Sequence, residues 1–287
     1  MKKAKGMLIG AMGIFGTIGL FVRYIPLPSS AIALCRGVLG LVFLGIIMLI
    51  TRHKPDWAAI RRNLPVLVIS GAAMGFNWIL LFESYKYTTV ATATVCYYLA
   101  PLLLLLASPL LGEKLTAKRL LCVGVALLGL VFVSGITQGK LPSFQEITGI
   151  VFGISAAVLY ASVMFLNKKL TPIGAYDKTI LQLGSASLVL LPYLLLTENI
   201  THFELTALQS GVLLVVGIVH TGIAYWLYFG SMKDLNTQTI AVFSYLDPVI
   251  AVLLSALILK EPITLSSIFG SVLILGSALY SELPEKK

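Results

Sequence analysis

The chain alternates between long apolar runs and short polar segments, and ten apolar runs follow one another along it. A helix needs about 20 apolar residues to cross a bilayer. These runs lack the strict alternation of the shorter strands that form membrane barrels. The pattern therefore predicts an all-α polytopic membrane protein with ten transmembrane helices. The predicted spans are 7–22, 29–50, 64–82, 90–111, 119–136, 147–167, 178–196, 209–230, 238–259 and 265–281.

The composition excludes the other broad classes of protein. Only 11% of the 287 residues are charged, 58% are hydrophobic, and the mean hydropathy is +0.95. A soluble domain carries roughly 25% charged residues, and a disordered chain needs low hydrophobicity. The connections between ten spans also leave no room for a separate catalytic domain.

The basic residues are distributed unevenly between alternate connections. If the N-terminus is cytoplasmic, sixteen lysines and arginines lie on the cytoplasmic side, four lie outside, and Arg36 lies within a span. This positive-inside asymmetry predicts cytoplasmic N- and C-termini. It accounts for the net charge of +9 without a nucleic-acid partner. No small-residue cleavage site closes the first span, so we interpret it as an uncleaved helix of a multi-pass cytoplasmic (inner) membrane protein.

The two halves of the sequence resemble each other at a nearly constant offset. Residues 84–101 align without a gap to residues 231–248, which lie 147 positions later. The first predicted helix of each half aligns at an offset of 143, which pairs Gly6 and Gly10 with Gly149 and Gly153. The predicted repeats are 6–136 (helices 1–5) and 147–282 (helices 6–10). Five is an odd number, so the second repeat enters the membrane inverted, as in many secondary transporters whose substrate site lies near the bilayer midplane.

A second pair of matching segments follows the aligned stretches. Pro101 lies 12 residues before the glutamate of the first segment, and Pro248 lies 13 residues before the glutamate of the second. The second copy therefore holds one extra residue. This difference predicts a local irregularity in the fourth helix. The segments are Glu113-Lys114-Leu115-Thr116 and Glu261-Pro262-Ile263-Thr264.

These segments, together with Arg36 in the second span and the internal repeat, resemble the drug/metabolite transporter superfamily, and in particular its EamA-type ten-helix members. The resemblance covers about residues 6–282. It implies a transporter with its substrate site between helices 1–4 and 6–9. It does not indicate the cargo, because members of the superfamily share this plan and carry very different cargoes.

Four polar residues lie deep in the predicted spans, where a charge costs about 2.5–3.5 kcal/mol on insertion scales. Arg36 is a candidate ligand for a substrate carboxylate. Asp247 is a candidate site for a substrate ammonium or a coupling proton. The alternative is that Arg36 and Asp247 simply form a structural ion pair. His220 suits proton coupling or a satisfied core position, and Asn77 suits substrate contact or an interhelical hydrogen bond. Their repeat partners are all apolar: Leu183, Ala100, Ala73 and Ala224.

Aromatic residues form a second candidate group within the spans. Their rings suit either a cavity for an apolar or cationic substrate or ordinary helix packing. The residues are Trp78, Tyr97, Tyr98, Tyr160, Tyr225, Trp226 and Tyr245. Pro101 and Pro248 are candidates for helix kinks or gating, because proline removes a backbone hydrogen bond. Lys260-Glu261, like Glu113-Lys114, is interpreted as a capping or solvated loop pair.

The sequence lacks the motifs of other membrane functions. It contains no Walker A sequence and no H-E-x-x-H or G-x-S-x-G motif, and its three cysteines have no metal-binding spacing. We therefore expect a non-enzyme without cofactor or metal. The favoured hypothesis is a secondary transporter, monomeric or homodimeric, that exports a small metabolite such as an amino acid with proton or sodium coupling. The alternatives are a multidrug or lipophilic-cation exporter, a choline-like importer, and a non-catalytic membrane assembly subunit.

Overall fold

The computed structural model describes residues 2–112, 115–134, 142–199, 203–232, 234–235 and 237–283, and all secondary structure within these ranges is helical. Glu113, Lys114 and residue 136, the predicted end of the first repeat, lie outside them. The helices are α1 (Lys2–Val22), α2 (Ser29–Ile50), α3 (Trp57–Tyr87), α4 (Val90–Tyr97), α5 (Ala100–Ala107), α6 (Ala117–Val133), α7 (Phe144–Lys168), α8 (Ala175–Thr197), α9 (Ala207–Gly217), α10 (Ala224–Met232), α11 (Thr237–Ser244), α12 (Leu246–Leu257) and α13 (Leu265–Glu282).

Seven helical segments of the described chain are long and apolar enough to cross a membrane. Two of them are composite, because Val90–Leu111 combines α4, α5 and a 3-10 turn, and Ala207–Met232 combines α9, a π-helical turn and α10. Two shorter apolar helices, Val242–Leu257 and Leu265–Ser281, accompany them. Large apolar side chains also project from the outside of the bundle, where lipid is the natural solvent. The protein is thus an all-helical membrane protein with several membrane-spanning helices.

Two helical runs are interrupted at positions that correspond in the two sequence copies. The first break separates α4 from α5 at Tyr98, and the second separates α11 from α12 at Tyr245. Pro101 and Pro248 each follow the break by three residues and cannot donate a backbone hydrogen bond. The carbonyl groups of Tyr97 and Ser244, four residues earlier, therefore lose their usual helical partners. Each break thus releases one backbone carbonyl group from its helical hydrogen bond.

The shorter spacing after Pro101 is accommodated by a change of helix type. The run ends in a 3-10 turn, Ser108–Leu111, whereas α12 continues as an α-helix to Leu257. A 3-10 turn rises about 2.0 Å per residue against about 1.5 Å in an α-helix. Four 3-10 residues therefore advance the chain about as far as five α-helical residues, which compensates for the missing residue.

The bundle is built around a few extensive helix pairs. The largest interfaces join α3 to α7, α8 to both α3 and α2, α1 to α10 and α12, and α6 to α13. The α6–α13 pair is closest at Gly129 and Gly270. A Cβ on Gly129 would lie 2.7 Å from the carbonyl oxygen of Gly270. Small residues allow this backbone approach without any hydrophobic driving force from water.

We expect Gly129→Ala to destabilise the protein by about 1–3 kcal/mol, because the new methyl group overpacks the α6–α13 contact. Gly124→Ala is the matched control on the same helix, since nothing in the described chain lies within 4 Å of a Cβ at Gly124. Thermal unfolding in detergent should show a lower Tm for Gly129→Ala and an unchanged or slightly higher Tm for Gly124→Ala. Equal Tm values for the two variants would contradict the close packing of α6 on α13.

Candidate functional site

A cavity of about 200 Å³ lies in the interior of the bundle. Its walls come from α1, α2, α3, α7 and α10 and from both helix breaks. Two further tyrosines, Tyr85 and Tyr228, also line it. The cavity brings together eight of the residues that the sequence singles out as binding or coupling candidates: Arg36, Asn77, Trp78, Tyr97, Tyr98, Tyr160, Tyr225 and Asp247.

Arg36 is a buried cation with part of its hydrogen-bonding capacity unused. The side chain is 5% exposed, and its Nε donates a 2.8 Å hydrogen bond to the Oγ1 of Thr221. The guanidinium carbon lies 4.3 Å from the centroid of the Trp78 ring, a cation–π geometry. Within the described ranges its two Nη groups donate to no protein acceptor. They form a planar fork that suits a carboxylate.

Thr221 holds Arg36 because of an irregular backbone. The residue lies in the π-helical turn Ile218–Ile223, and its hydroxyl group donates a 3.3 Å bond to the carbonyl oxygen of Val216. It approaches α2 directly at Gly40, where any side chain would overlap Thr221. π-helical turns often occur at functional sites. The sequence pattern does not reveal Thr221, because a threonine hydroxyl group within a span usually bonds to its own helix.

Asp247 and Tyr98 join the two helix breaks. Asp247 lies in the first turn of α12, where the helix dipole favours negative charge. The hydroxyl group of Tyr98 lies 2.7 Å from the Oδ2 of Asp247 and 3.4 Å from the carbonyl oxygen of Ser244, which is the acceptor left free by Pro248. No ion pair within 4.0 Å joins Arg36 to Asp247 in this structure. The guanidinium group of Arg36 and the carboxyl group of Asp247 therefore face one cavity without direct contact.

Asn77 lies in the cavity wall and also links two helices. Its Nδ2 donates a 2.5 Å hydrogen bond to the carbonyl oxygen of Ala156 in α7, and its Oδ1 accepts a 3.3 Å bond from Tyr97. The rings of Tyr97 and Tyr160 stack with centroids 5.0 Å apart and an interplanar angle of 10°. One amide thus fixes α3, α7 and the aromatic lining in a single arrangement.

The other candidates lie outside the cavity lining. Trp226 is 38% exposed and is directed away from the cavity, because consecutive helical residues such as Tyr225 and Trp226 point in different directions. Tyr245 is buried, with its ring centroid 5.9 Å from that of Tyr98. Pro101 and Pro248 act on the backbone at the breaks rather than as lining groups.

His220 is buried beside the cavity in the same π-helical turn as Thr221. Its Nε2 lies 2.8 Å from the Oγ1 of Thr17 in α1, and its Nδ1 lies 3.3 Å from the carbonyl oxygen of Val215. Its ring packs on Phe21 with centroids 4.8 Å apart. The histidine therefore couples α1 to the helix that positions Arg36.

The site is a polar cavity inside an apolar helical bundle, and it is lined by ionisable side chains that lipid could not stabilise. Membrane transporters use sites of this kind. The chain belongs to the EamA-like transporter family, whose sequence profile matches residues 3–135 and again residues 147–281.

Relatives extend over nearly the whole chain. An uncharacterized transporter of Bacillus subtilis, YxxF, is 32% identical over 95% of this chain and 87% of its own length. An uncharacterized transporter of Archaeoglobus fulgidus is 27% identical over 97% of this chain and 96% of its own length, and the protein RarD of Salmonella typhi is 24% identical over 87% and 84%. One solved crystal structure is 20% identical and superposes with a TM-score of 0.67 over 98% of this chain and 96% of that chain, which supports the fold.

We expect Thr221→Val to release Arg36, because it removes the hydroxyl acceptor of a buried charged group. The cost is about 1.5–3 kcal/mol of unfolding free energy. In a Trp57→Phe, Trp226→Phe background the emission of Trp78 should shift as the stacked guanidinium moves. Thr221→Ser keeps the hydroxyl group and should preserve both the stability and the spectrum. A Thr221→Val protein with the parent Tm and spectrum would show that Thr221 does not position Arg36.

Proposed function

We propose that the helices form ten membrane-spanning units arranged as two inverted repeats, 6–136 and 147–282, with both termini in the cytoplasm. In this arrangement α4 and α5 make one span, α9 and α10 another, and α11 and α12 a third, while α6 and α13 complete the two repeats. The proposal is supported by breaks at Tyr98 and Tyr245, which are separated by the repeat offset of 147 residues. The distribution of basic residues supports the orientation, with the cytoplasmic membrane as the location.

We propose that the protein is a secondary active transporter that exports a small metabolite such as an amino acid by alternating access. The observation that carries this proposal is the pair of separated charges in one buried cavity. The free Nη fork of Arg36 suits a carboxylate, while Asp247 and the tyrosine rings suit an ammonium group. A zwitterion would satisfy both charges at once, which is the main reason to favour it over an ion of a single sign.

Proton coupling through Asp247, with His220 beside the cavity, is the energy source that fits this arrangement best. Asp247 can bind either a proton or a substrate cation, so the two ligands would compete for one carboxylate. Competition at a single site is a simple way to exchange one ligand for the other. Protonation of Asp247 would change its hydrogen bond with Tyr98, and in this way it would affect the helix break at Tyr98.

One observation favours a second cargo, namely an organic cation. The cavity is lined by Trp78 and by a group of tyrosines, two of which stack on each other. Aromatic rings around a carboxylate attract a desolvated cation. Such a cargo would need Asp247 but not the free Nη groups of Arg36. Only the zwitterionic cargo would therefore depend on Arg36.

Purified protein in liposomes provides the direct test, with counterflow of labelled amino acids and of labelled quaternary amines as the assay. We expect Asp247→Asn to abolish accumulation driven by a pH gradient while leaving exchange partly intact. Asp234→Asn is the matched control, because Asp234 is exposed in a connecting segment. Unchanged pH dependence in Asp247→Asn would remove Asp247 from coupling. Transport by the purified chain alone would also exclude an assembly subunit.

The same assay distinguishes the two cargoes through Arg36. Arg36→Lys keeps the charge but loses the planar fork, so it should weaken a carboxylate substrate roughly tenfold or more and leave a cation almost unaffected. Arg62→Lys, at an exposed position of α3, should change neither. Equal loss for both substrates would indicate that Arg36 is structural.

A further inference from the structure

Glu261 is the centre of a hydrogen-bonded cluster at one end of the bundle. Its Oε1 forms a 2.6 Å ion pair with the Nη2 of Arg23, and its Oε2 accepts a 2.8 Å bond from the backbone N–H of Val90. The hydroxyl group of Ser255 donates to the same Oε2. Arg23 in turn donates a 2.8 Å bond to the carbonyl oxygen of Thr88. Both carboxylate oxygens are thus occupied by donors.

The cluster joins segments that are distant in the sequence. Glu261 follows α12, whereas Arg23 follows α1 and Val90 is the first residue of α4. The N–H of a first helical residue has no partner within its own helix, and negative charge is favoured there. Glu261 therefore caps a helix of the other half of the chain. The preceding residue, Lys260, has a positive φ of 53°, which turns the chain back towards α4.

Beneath Glu261, α1 packs closely on both α4 and α12. A Cβ on Gly16 of α1 would lie 2.7 Å from the carbonyl oxygen of Asp247 in α12, and a Cβ on Gly19 would overlap Val90 of α4. The two half-helices α4 and α12 also pack on each other. α1, α4 and α12 are therefore in close contact at this end of the cavity.

The glycine pairs that correspond in the two repeats differ in their packing. A Cβ on Gly149 would lie 2.8 Å from Thr88, and a Cβ on Gly153 would lie 3.0 Å from the Cβ of Cys96. Their partners in α1 are loosely packed. Of the described atoms, none lies within 4 Å of a Cβ at Gly6, and only a methyl group of Leu227, at 3.8 Å, does so at Gly10. Inverted repeats place these pairs at opposite ends of the bundle, so the two ends are closed to different degrees.

We propose that Glu261 is the latch that keeps this end of the cavity closed. Breaking its bonds to Val90 and Arg23 releases α12 from α4 and α1, and α4 is then free to separate from α7. The proposal rests on the alternating access described above. In the alternate state the two repeats exchange their packing. Gly6 and Gly10 become closely packed, and Gly149 and Gly153 lose their contacts with α4.

The reactivity of the Cys96 thiol group can be used to measure this opening. Cys96 is fully buried in α4 and lies against Gly153, so the residue loses part of its cover when α4 separates from α7. The other two cysteines, Cys35 in α2 and Cys122 in α6, lie outside the latch cluster. A Cys35→Ala, Cys122→Ala protein therefore carries a single thiol group whose reactivity measures the separation of α4 from α7.

The experiment measures the rate at which a water-soluble maleimide labels Cys96 in the full chain in detergent, where the reagent reaches both ends. Glu261→Gln should raise the rate roughly tenfold or more, because it removes the charge from three hydrogen bonds. Glu83→Gln is the matched control. Glu83 pairs with Lys86 within α3, only three residues away, and joins no separate helices. The control should label at the parent rate.

Arg23→Gln provides a second test if Glu261→Gln does not fold. It removes the ion pair but leaves the cap on Val90, and it should give an intermediate rate. A folded Glu261→Gln or Arg23→Gln protein that labels at the parent rate would overturn the latch. Labelling needs no substrate, so this outcome is distinct from a failure of the transport assay.

Discussion

A charge inside a bilayer has to be solvated by the protein itself, and this constraint governs the centre of the molecule. Arg36 and Asp247 both line a cavity inside an apolar helical bundle, where an unsatisfied charge costs several kcal/mol. The chain meets the requirement with irregular backbone. A π-helical turn brings Thr221 to Arg36, and the break before Pro248 places Asp247 at a helix N-terminus beside Tyr98. Non-helical backbone is tolerated at this depth because it is enclosed by other helices.

The two helix breaks line the cavity and the π-helical turn lies beside it, while the supporting helices stay regular. The α6–α13 pair approaches through Gly129 and Gly270 and contributes no lining residue. Asn77 and Tyr97 link α3, α7 and the first helix break by hydrogen bonds that cross the wall. The cavity is thus lined by half-helices and by longer helices, all attached to a closely packed frame.

Much of this organisation could be predicted from the sequence, and the failures have identifiable causes. Arg36, Asn77 and Asp247 stand out because each is polar within an apolar run, and all three line the cavity. Trp226 belongs to the same aromatic cluster in sequence, but helix phase directs it outwards. Thr221 needs knowledge of the π-helical turn, which no local pattern of apolar residues reveals.

Glu261 illustrates the other limit of sequence patterns. The position is interpreted correctly as capping, but its donor, the N–H of Val90, lies 171 residues away. Local sequence rules describe helix ends within a few residues of the cap. A cap supplied by a residue so distant in the sequence depends on tertiary packing, which becomes visible only when α4 and α12 are placed side by side.

The central claim is that the separated charges of the cavity bind the cargo. An experimental structure with a transported solute bound tests it most directly. The account predicts that the solute lies between Arg36 and Asp247, within hydrogen-bond distance of the guanidinium fork. A solute bound elsewhere, with Arg36 and Asp247 joined to each other in a direct ion pair, would contradict the account.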